Sequence, residues 1–234
     1  MFTLLHQSPD FLVICKHANV SVHKDDNEQP LLAAVAAVTG DTQLYLIHRL
    51  DKMTSGILLL GRHADAASAL SGSFARREVE KYYLAIGSKK PKKKQGTVIG
   101  DMSRSRRRSW KLETSRQNPA VTQFISTAAG AGRRLFLCKP YTGKTHQIRV
   151  ALKSVGSGIT GDDIYGHETA DRGYLHAYGL QFTYQGTPYR FLCPPEQGEL
   201  WLTEEIQTAL QGWSSPWELE WPGLPAGLVK SVQD

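Results

Sequence analysis

Cysteine is scarce in this chain of 234 residues, which holds only Cys15, Cys138 and Cys193. They lie singly in apolar stretches, with no Cys-x-x-Cys and no Cys/His spacing of a zinc site, so neither a metal site nor a disulfide framework is read. Buried reduced thiols in a cytoplasmic protein are expected instead. Long apolar runs are missing too: the longest, residues 31–38 and 57–60, are too short to span a bilayer. The N-terminus has no basic segment leading into a sustained apolar stretch, so no secretory signal and no membrane partner are read. There is no internal repeat and no phosphate-cradling glycine loop. Strands and helices do not alternate in βαβ order, which excludes a doubly wound sheet. The expectation is an α+β fold with a mainly antiparallel, mixed sheet and flanking helices. At 41% hydrophobic and 21% charged residues the composition is that of an ordinary globular protein, long enough for one large domain or two small ones.

What the chain does have is unevenly placed positive charge. The net charge is +6, yet residues 76–111 alone carry thirteen Lys/Arg against Glu78, Glu80 and Asp101, leaving the remainder acidic. A solvated basic face is the plain reading of a small excess; one this concentrated points to a polyanion. Lys92, Lys93 and Lys94 on one side, and Arg106, Arg107 and Arg108 on the other, flank the short apolar run 97–100. That pattern predicts a hairpin over about 87–111 with two cationic arms, suited to straddling a phosphate backbone.

Periodicity predicts strands at 11–15, 20–22, 44–47, 57–60, 81–86, 121–127, 134–139, 173–184 and 189–192. Helices are predicted at 31–38, opened by Pro30 and stopped by Gly40, at 64–77, after Thr145 with Gly156 as the stop, and at 199–211. Trp213, Trp217 and Trp221 are spaced by four residues in an otherwise aperiodic extension, 212–234. They suit either a nucleotide-stacking platform or, more commonly, a tail docked on the body.

The most informative segment is His48-Arg49-Leu50-Asp51-Lys52-Met53-Thr54-Ser55-Gly56. It sets one carboxylate on a strand-to-strand connection, where a rigid scaffold commonly positions catalytic groups. Taken alone, Asp51 equally reads as an Asp that caps a turn.

This segment resembles the His-Arg-Leu-Asp-x-x-Thr-Ser-Gly signature of the RluA family of pseudouridine synthases, and it is complete. Glu80-Lys81-Tyr82-Tyr83-Leu84-Ala85, Tyr141-Thr142-Gly143-Lys144-Thr145-His146-Gln147-Ile148-Arg149, and Leu175-His176-Ala177 with Phe191-Leu192-Cys193-Pro194 resemble three further family segments, in family order. The similarity covers about residues 11–195. Two departures stand out. Cys15-Lys16-His17-Ala18-Asn19 replaces Asn-Lys-Pro-x-Gly, which should alter a turn. Ala151 and Gly156-Ser157-Gly158-Ile159 replace a His and Gly-His-Pro-Ile before Gly161-Asp162-Asp163-Ile164-Tyr165-Gly166 restores the pattern.

The resemblance implies a single catalytic domain over 1–234, with a core at about 8–198 and no appended RNA-binding domain. It acts as a monomer on a stem-loop of ribosomal (23S) or transfer RNA. The N1–C1′ bond of uridine is broken, the base turned, and C5 joined to C1′, a sequence that needs no cofactor and no metal. By resemblance Asp51 is the carboxylate at the sugar, whether through attack at C1′ or proton removal at C2′. Arg149 is the cation that keeps it ionised and oriented. Tyr83 lines the pocket, stacking on the uracil or only packing. Arg49 enters the RNA stack as the target leaves it, and Lys144 and His146 contact phosphate or ribose. His48 is left open between an RNA contact and a structural histidine. The competing reading is a non-catalytic RNA-binding or chaperone protein that retained the fold; binding alone has no need of Asp51, Tyr83 and Arg149 together.

Overall fold

The computed structural model describes residues 1–22, 31–106 and 108–225. Pro30, Arg107 and residues 226–234, which the sequence reading used, lie outside them. In chain order the elements are β1 (Phe2–Gln7), β2 (Phe11–Lys16), α1 (Leu31–Thr39), β3 (Tyr45–Leu46), β4 (Ser55–Gly61), α2 (Ala64–Ala75), β5 (Glu80–Gly87) and β6 (Gln95–Gly100). They continue with β7 (Met102–Arg104), β8 (Trp110–Leu112), β9 (Ala120–Ala128), β10 (Arg134–Pro140), α3 (Gln147–Ser154), β11 (Leu175–Tyr184), β12 (Thr187–Leu192) and α4 (Glu204–Gln211). The class is α+β with a mixed, mostly antiparallel strand arrangement. Two compact units result: Met1–Val79 with His176–Pro195, and Glu80–Leu175 with Glu196–Asp234.

In the first unit β1 pairs with β2, and β2 with β4, all antiparallel. The last residues of β4 take β3 as an antiparallel neighbour, Tyr45↔Gly61 and Leu46↔Leu60. Its first residues take β11 in parallel, His176↔Ser55 and Ala177↔Gly56. Every residue of β4 is buried, which is why it reads as a continuous apolar run rather than an alternating one. Alternate residues Phe11 and Val13, Ile57 and Leu59, and Leu180 and Phe182 form one apolar face with Ala66 and Leu70 of α2. Each such aliphatic side chain contributes about 1.5–3 kcal/mol when fully buried.

In the second unit the strand order is β5-β10-β9-β6, antiparallel throughout, with α3 packed on β9 and β10. The predicted hairpin with two cationic arms is not what forms. The run 97–100 belongs to β6, whose backbone pairs with β9 (Val98↔Thr122), because that ladder buries Val98. The second basic run instead tips a separate hairpin, β7–β8. Asp101 closes its base, its carboxylate accepting from the Gln117 and Asn118 N–H groups at 2.9 and 2.8 Å. Those bonds, from Gln117 first, hold its carboxyl below the usual range.

Three further expectations shift. Residues 20–22 form no strand: the Val20 carbonyl is taken by the Lys16 ammonium at 2.8 Å rather than by a ladder partner. The strand predicted at 44–47 shortens to β3. The helix predicted at 199–211 breaks at Thr203, whose backbone is extended (φ −69°, ψ 148°), giving a 3-10 turn Glu199–Leu202 before α4. The extension docks within the second unit. Trp217 and Trp221 pack on Tyr82 at ring distances of 6.3 and 5.8 Å, and Thr97 donates to the Gly223 carbonyl at 3.1 Å. Trp217 and Trp221 therefore anchor the extension on β5. Among the described residues no helix is long and apolar enough to cross a membrane.

Candidate active site

The signature loop runs from β3 to β4, and its side chains alternate in direction. Leu50 is buried. His48 stacks on Phe74 with ring centroids 4.5 Å apart and planes 13° apart, and its Nε2 accepts the Leu59 N–H at 3.1 Å. With His48 and Leu50 anchored in the first unit, Arg49 is exposed and Asp51 half-buried. Thr54 N–H closes the turn on the Asp51 carbonyl at 3.0 Å. His48, left open by the sequence, is held by Phe74 and the Leu59 N–H.

The Thr-Ser-Gly portion explains itself through β11. The Ser55 hydroxyl and His176 Nδ1 lie 2.7 Å apart, and His176 Nε2 reaches the Cys193 carbonyl at 2.6 Å. A carbonyl only accepts, so Nε2 carries a proton, and in the neutral ring Nδ1 accepts from Ser55. Gly56 (φ +107°) leaves no room for a side chain: a Cβ there would stand 2.2 Å from the Ala177 carbonyl oxygen.

Lys16 is a residue whose role the sequence did not disclose. It is completely buried, and its ammonium donates to the carbonyls of His17 (3.0 Å), Val20 (2.8 Å) and Lys52 (3.2 Å). It thereby ties the residue after Asp51 to the turn that follows β2. In that turn Asn19 sits at φ +62°, in the left-handed conformation that asparagine tolerates better than most side chains. The signal was present: Lys16 is what survives of Asn-Lys-Pro-x-Gly.

The cysteines are not all scattered in space. Ligand atoms of Cys15, His176 and Cys193 fall within 4.8 Å of one another. Both His176 ring nitrogens are already hydrogen-bonded, so a cation there must displace Ser55 or the Cys193 carbonyl. No disulfide joins the three cysteines, of which Cys15 is half-buried and Cys138 and Cys193 are buried. Burial pushes the Cys138 thiol well up.

In the second unit Tyr83 is half-buried on β5, in register with Cys138 of β10, on the face opposite the fully buried Tyr82. The loop 142–147 is pinned to β9. Gln147 accepts from Thr142 Oγ1 (2.6 Å) and Lys144 N–H (3.0 Å), and donates to the Val121 carbonyl (3.1 Å) and Thr122 Oγ1 (2.9 Å). Lys144 and His146 are half-buried on that loop, His146 in the left-handed region (φ 57°) with Nδ1 2.9 Å from the Tyr165 hydroxyl.

Arg149 is 3% exposed on α3, so it is no surface arginine. Its Nε and Nη2 each donate to Asp162 at 2.7 Å, and Tyr165 lies 5.0 Å from its Cζ. Burial works against charge on Asp162, but the Arg149 bonds and charge, with the Ile164 and Tyr165 N–H groups, more than offset it and hold the carboxyl below its usual range. Asp162 is thus a partner of Arg149 that the sequence reading did not name. Its signal lay in Gly161-Asp162-Asp163-Ile164-Tyr165-Gly166, read only as restored pattern.

Lys92, Lys93, Lys94, Arg106 and Arg108 are exposed. Both basic runs are braced by the α3 region. Lys92 N–H donates to the Val155 carbonyl at 3.0 Å, and Trp110 N–H donates to the Tyr165 hydroxyl at 2.7 Å.

Residues 10–154 match the family of RNA pseudouridylate synthases. A Haemophilus influenzae protein described as an uncharacterized RNA pseudouridine synthase is 45% identical over 89% of this chain and 94% of its own length. Ribosomal large subunit pseudouridine synthase C of Escherichia coli is 29% identical over 83% of this chain and 67% of that protein. Human RNA pseudouridylate synthase domain containing 1 shares the fold, with a TM-score of 0.73 at 23% identity over 100% of this chain and 95% of that one. A family match over more than half the chain, and a relative this similar along nearly all of it, agree with the four ordered motifs: the chain belongs to the RluA-type RNA pseudouridine synthases, isomerases that convert uridine in RNA to pseudouridine.

Proposed function

We propose that this enzyme isomerises uridine in a structured RNA, a stem-loop of large-subunit ribosomal or transfer RNA, with Asp51 as the carboxylate that acts at the sugar. The observation that carries this reading is the signature loop: His48 and Leu50 fixed in the core hold Asp51 half-buried and Arg49 exposed beside it. A carboxylate so held meets the ribose without a search for its conformation. Support for a ribosomal target comes from the similarity to the Escherichia coli ribosomal large subunit pseudouridine synthase C.

In this scheme Asp51 acts at C1′ or C2′ as N1–C1′ breaks. The uracil turns while the pocket retains it, C5 joins C1′ with release of any bond to Asp51, the C5 proton leaves, and N1 takes up a proton. Tyr83 stacks on the base and helps that proton depart. Arg149 supplies the positive charge that keeps the acting carboxylate ionised. Arg49 fills the stack vacated by the flipped nucleotide, its planar cation contacting base and phosphate together. Lys144, His146 and the residues at 92–94 and 106–108 bind the backbone. The enzyme acts as a monomer in the cytoplasm.

Asp51→Asn tests the chemistry. It is expected to abolish pseudouridine formation while RNA affinity stays within about a factor of ten, or roughly 1.4 kcal/mol. Product from the purified variant, free of wild-type enzyme, overturns the role of Asp51. Mapping pseudouridines in total RNA with and without the protein identifies the target.

A further inference from the structure

Arginine has a long, flexible side chain, yet the Arg149 guanidinium is fixed in two directions. Within its plane, Nε and Nη2 each donate to a different oxygen of Asp162 at 2.7 Å. That carboxylate is itself held by the N–H groups of Ile164 (2.9 Å) and Tyr165 (3.1 Å). In a second direction, Cζ lies over the Tyr165 ring, 5.0 Å from its centroid. Tyr165 is fixed at its far end, where the hydroxyl accepts from Trp110 N–H (2.7 Å) and meets His146 Nδ1 (2.9 Å). Trp110 opens β8 immediately after the loop that exposes Arg106 and Arg108, and that loop is closed by Ser105 N–H to the Ser109 carbonyl at 2.8 Å.

Neutralising a buried arginine requires one carboxylate in contact. It does not require a bidentate pair whose acceptor is pinned by two backbone donors, nor an aromatic ring tied to a second loop. Replacing such buried pairs by apolar side chains often costs no stability, whereas a charged group serves a transition state only when its orientation is set beforehand.

We propose that Asp162 and Tyr165 are positioning residues for the isomerisation: Asp162 sets the direction of the Arg149 guanidinium, and Tyr165 joins it to the basic β7–β8 loop that meets RNA. This inference rests on the role proposed above for Arg149.

The test compares single-turnover rates at saturating RNA, and RNA dissociation constants, for wild type, Asp162→Asn, Asp162→Glu, Tyr165→Phe, Arg149→Lys and the Asp162→Asn/Arg149→Lys double variant. Asp162→Asn is expected to slow the reaction about 100-fold with affinity within about threefold, the signature of lost orientation rather than lost binding. Lysine at 149 cannot use the planar pairing, so adding Asp162→Asn to it should change the rate by no more than about threefold. Tyr165→Phe keeps the ring on the guanidinium but cuts the links to Trp110 and His146, and should weaken RNA binding about three- to tenfold while slowing the reaction less than Asp162→Asn does. Should Asp162→Asn not fold, Asp162→Glu keeps the ion pair while displacing the carboxylate by one methylene, and a loss of about tenfold or more is expected. A merely structural role instead gives folded Asp162 variants with wild-type rates, or losses that add fully in the double variant, and either result overturns the inference. If Arg149→Lys itself runs at the wild-type rate, it is the catalytic reading of Arg149 that fails. If Arg149→Lys is impaired and the Asp162 variants are not, only the positioning inference fails.

Discussion

Three glycine-to-alanine substitutions separate what backbone conformation and what close packing each contribute to the signature loop. At Gly143 a Cβ meets nothing within 4 Å and the backbone is ordinary; at Gly40 space is equally open but φ is +75°. At Gly56 φ is +107° and a Cβ would stand 2.2, 2.6 and 2.8 Å from the carbonyl oxygen, nitrogen and carbonyl carbon of Ala177. Gly143→Ala should change stability by no more than about 0.5 kcal/mol. Gly40→Ala pays the left-handed penalty alone, about 1 kcal/mol. Gly56→Ala carries strain of about 1–3 kcal/mol. Its steric overlap is with backbone, so relief means parting β4 from β11 at the pairs His176↔Ser55 and Ala177↔Gly56. Each lost backbone hydrogen bond adds about 1 kcal/mol. The expected total is about 3–5 kcal/mol, a lowering of roughly 6–20 °C in Tm for a chain of this size. Denaturant titration with a common slope measures all three, and single-turnover kinetics should show Gly56→Ala inactive because β4 begins directly after the Asp51 turn. If Gly56→Ala lies within about 1 kcal/mol of Gly143→Ala, the idea that the Thr-Ser-Gly turn exists to admit β11 is wrong.

Neutralising Lys92, Lys93, Lys94, Arg106, Arg107 and Arg108 to glutamine should weaken RNA binding and flatten its salt dependence, by about 0.7 in log–log slope per lost contact to single strands or 0.9 to duplex; an unchanged slope makes them a solvated face. Arg49→Ala should impair a structured stem-loop far more than a short unstructured strand bearing the same uridine, because the strand has already lost most of its stacking energy; equal losses in single-turnover rate remove the flipping role. Asp162 has a folded-state pKa below its ordinary 3.8, so the unfolded chain binds the proton more readily there. Its stabilisation is therefore complete above about pH 4 and lost as pH falls through the folded value. Acid unfolding of Asp162→Asn, followed below pH 4, should be less steep than that of wild type; parallel curves contradict the assignment.

Much of this could be read from residue order, and the reasons differ by element. The β4 run and the α2 face are written in local hydrophobic pattern, so both were legible. The β7–β8 hairpin was not, because charge pattern does not reveal which backbone a strand pairs with, and β6 chose β9 over its basic neighbour. Residues 20–22 look like a strand, but a lysine four positions earlier takes the carbonyl of Val20. His48 could not be decided from sequence since Phe74, its stacking partner, lies 26 residues away. Asp162 was hidden for a similar reason: pairing with Arg149 is a property of the folded loop, not of spacing.

An ammonium that solvent does not reach is one that reagents do not reach either. Lys16 is 0% exposed and closed over by three carbonyls, one of them beside Asp51. In the intact enzyme its amine becomes reactive only when the signature loop lets go of the turn after β2. The rate at which it takes up an acylating probe therefore counts openings of that loop with no RNA present. A chain acetylated or carbamylated at Lys16 before folding has lost the charge that draws those carbonyls together.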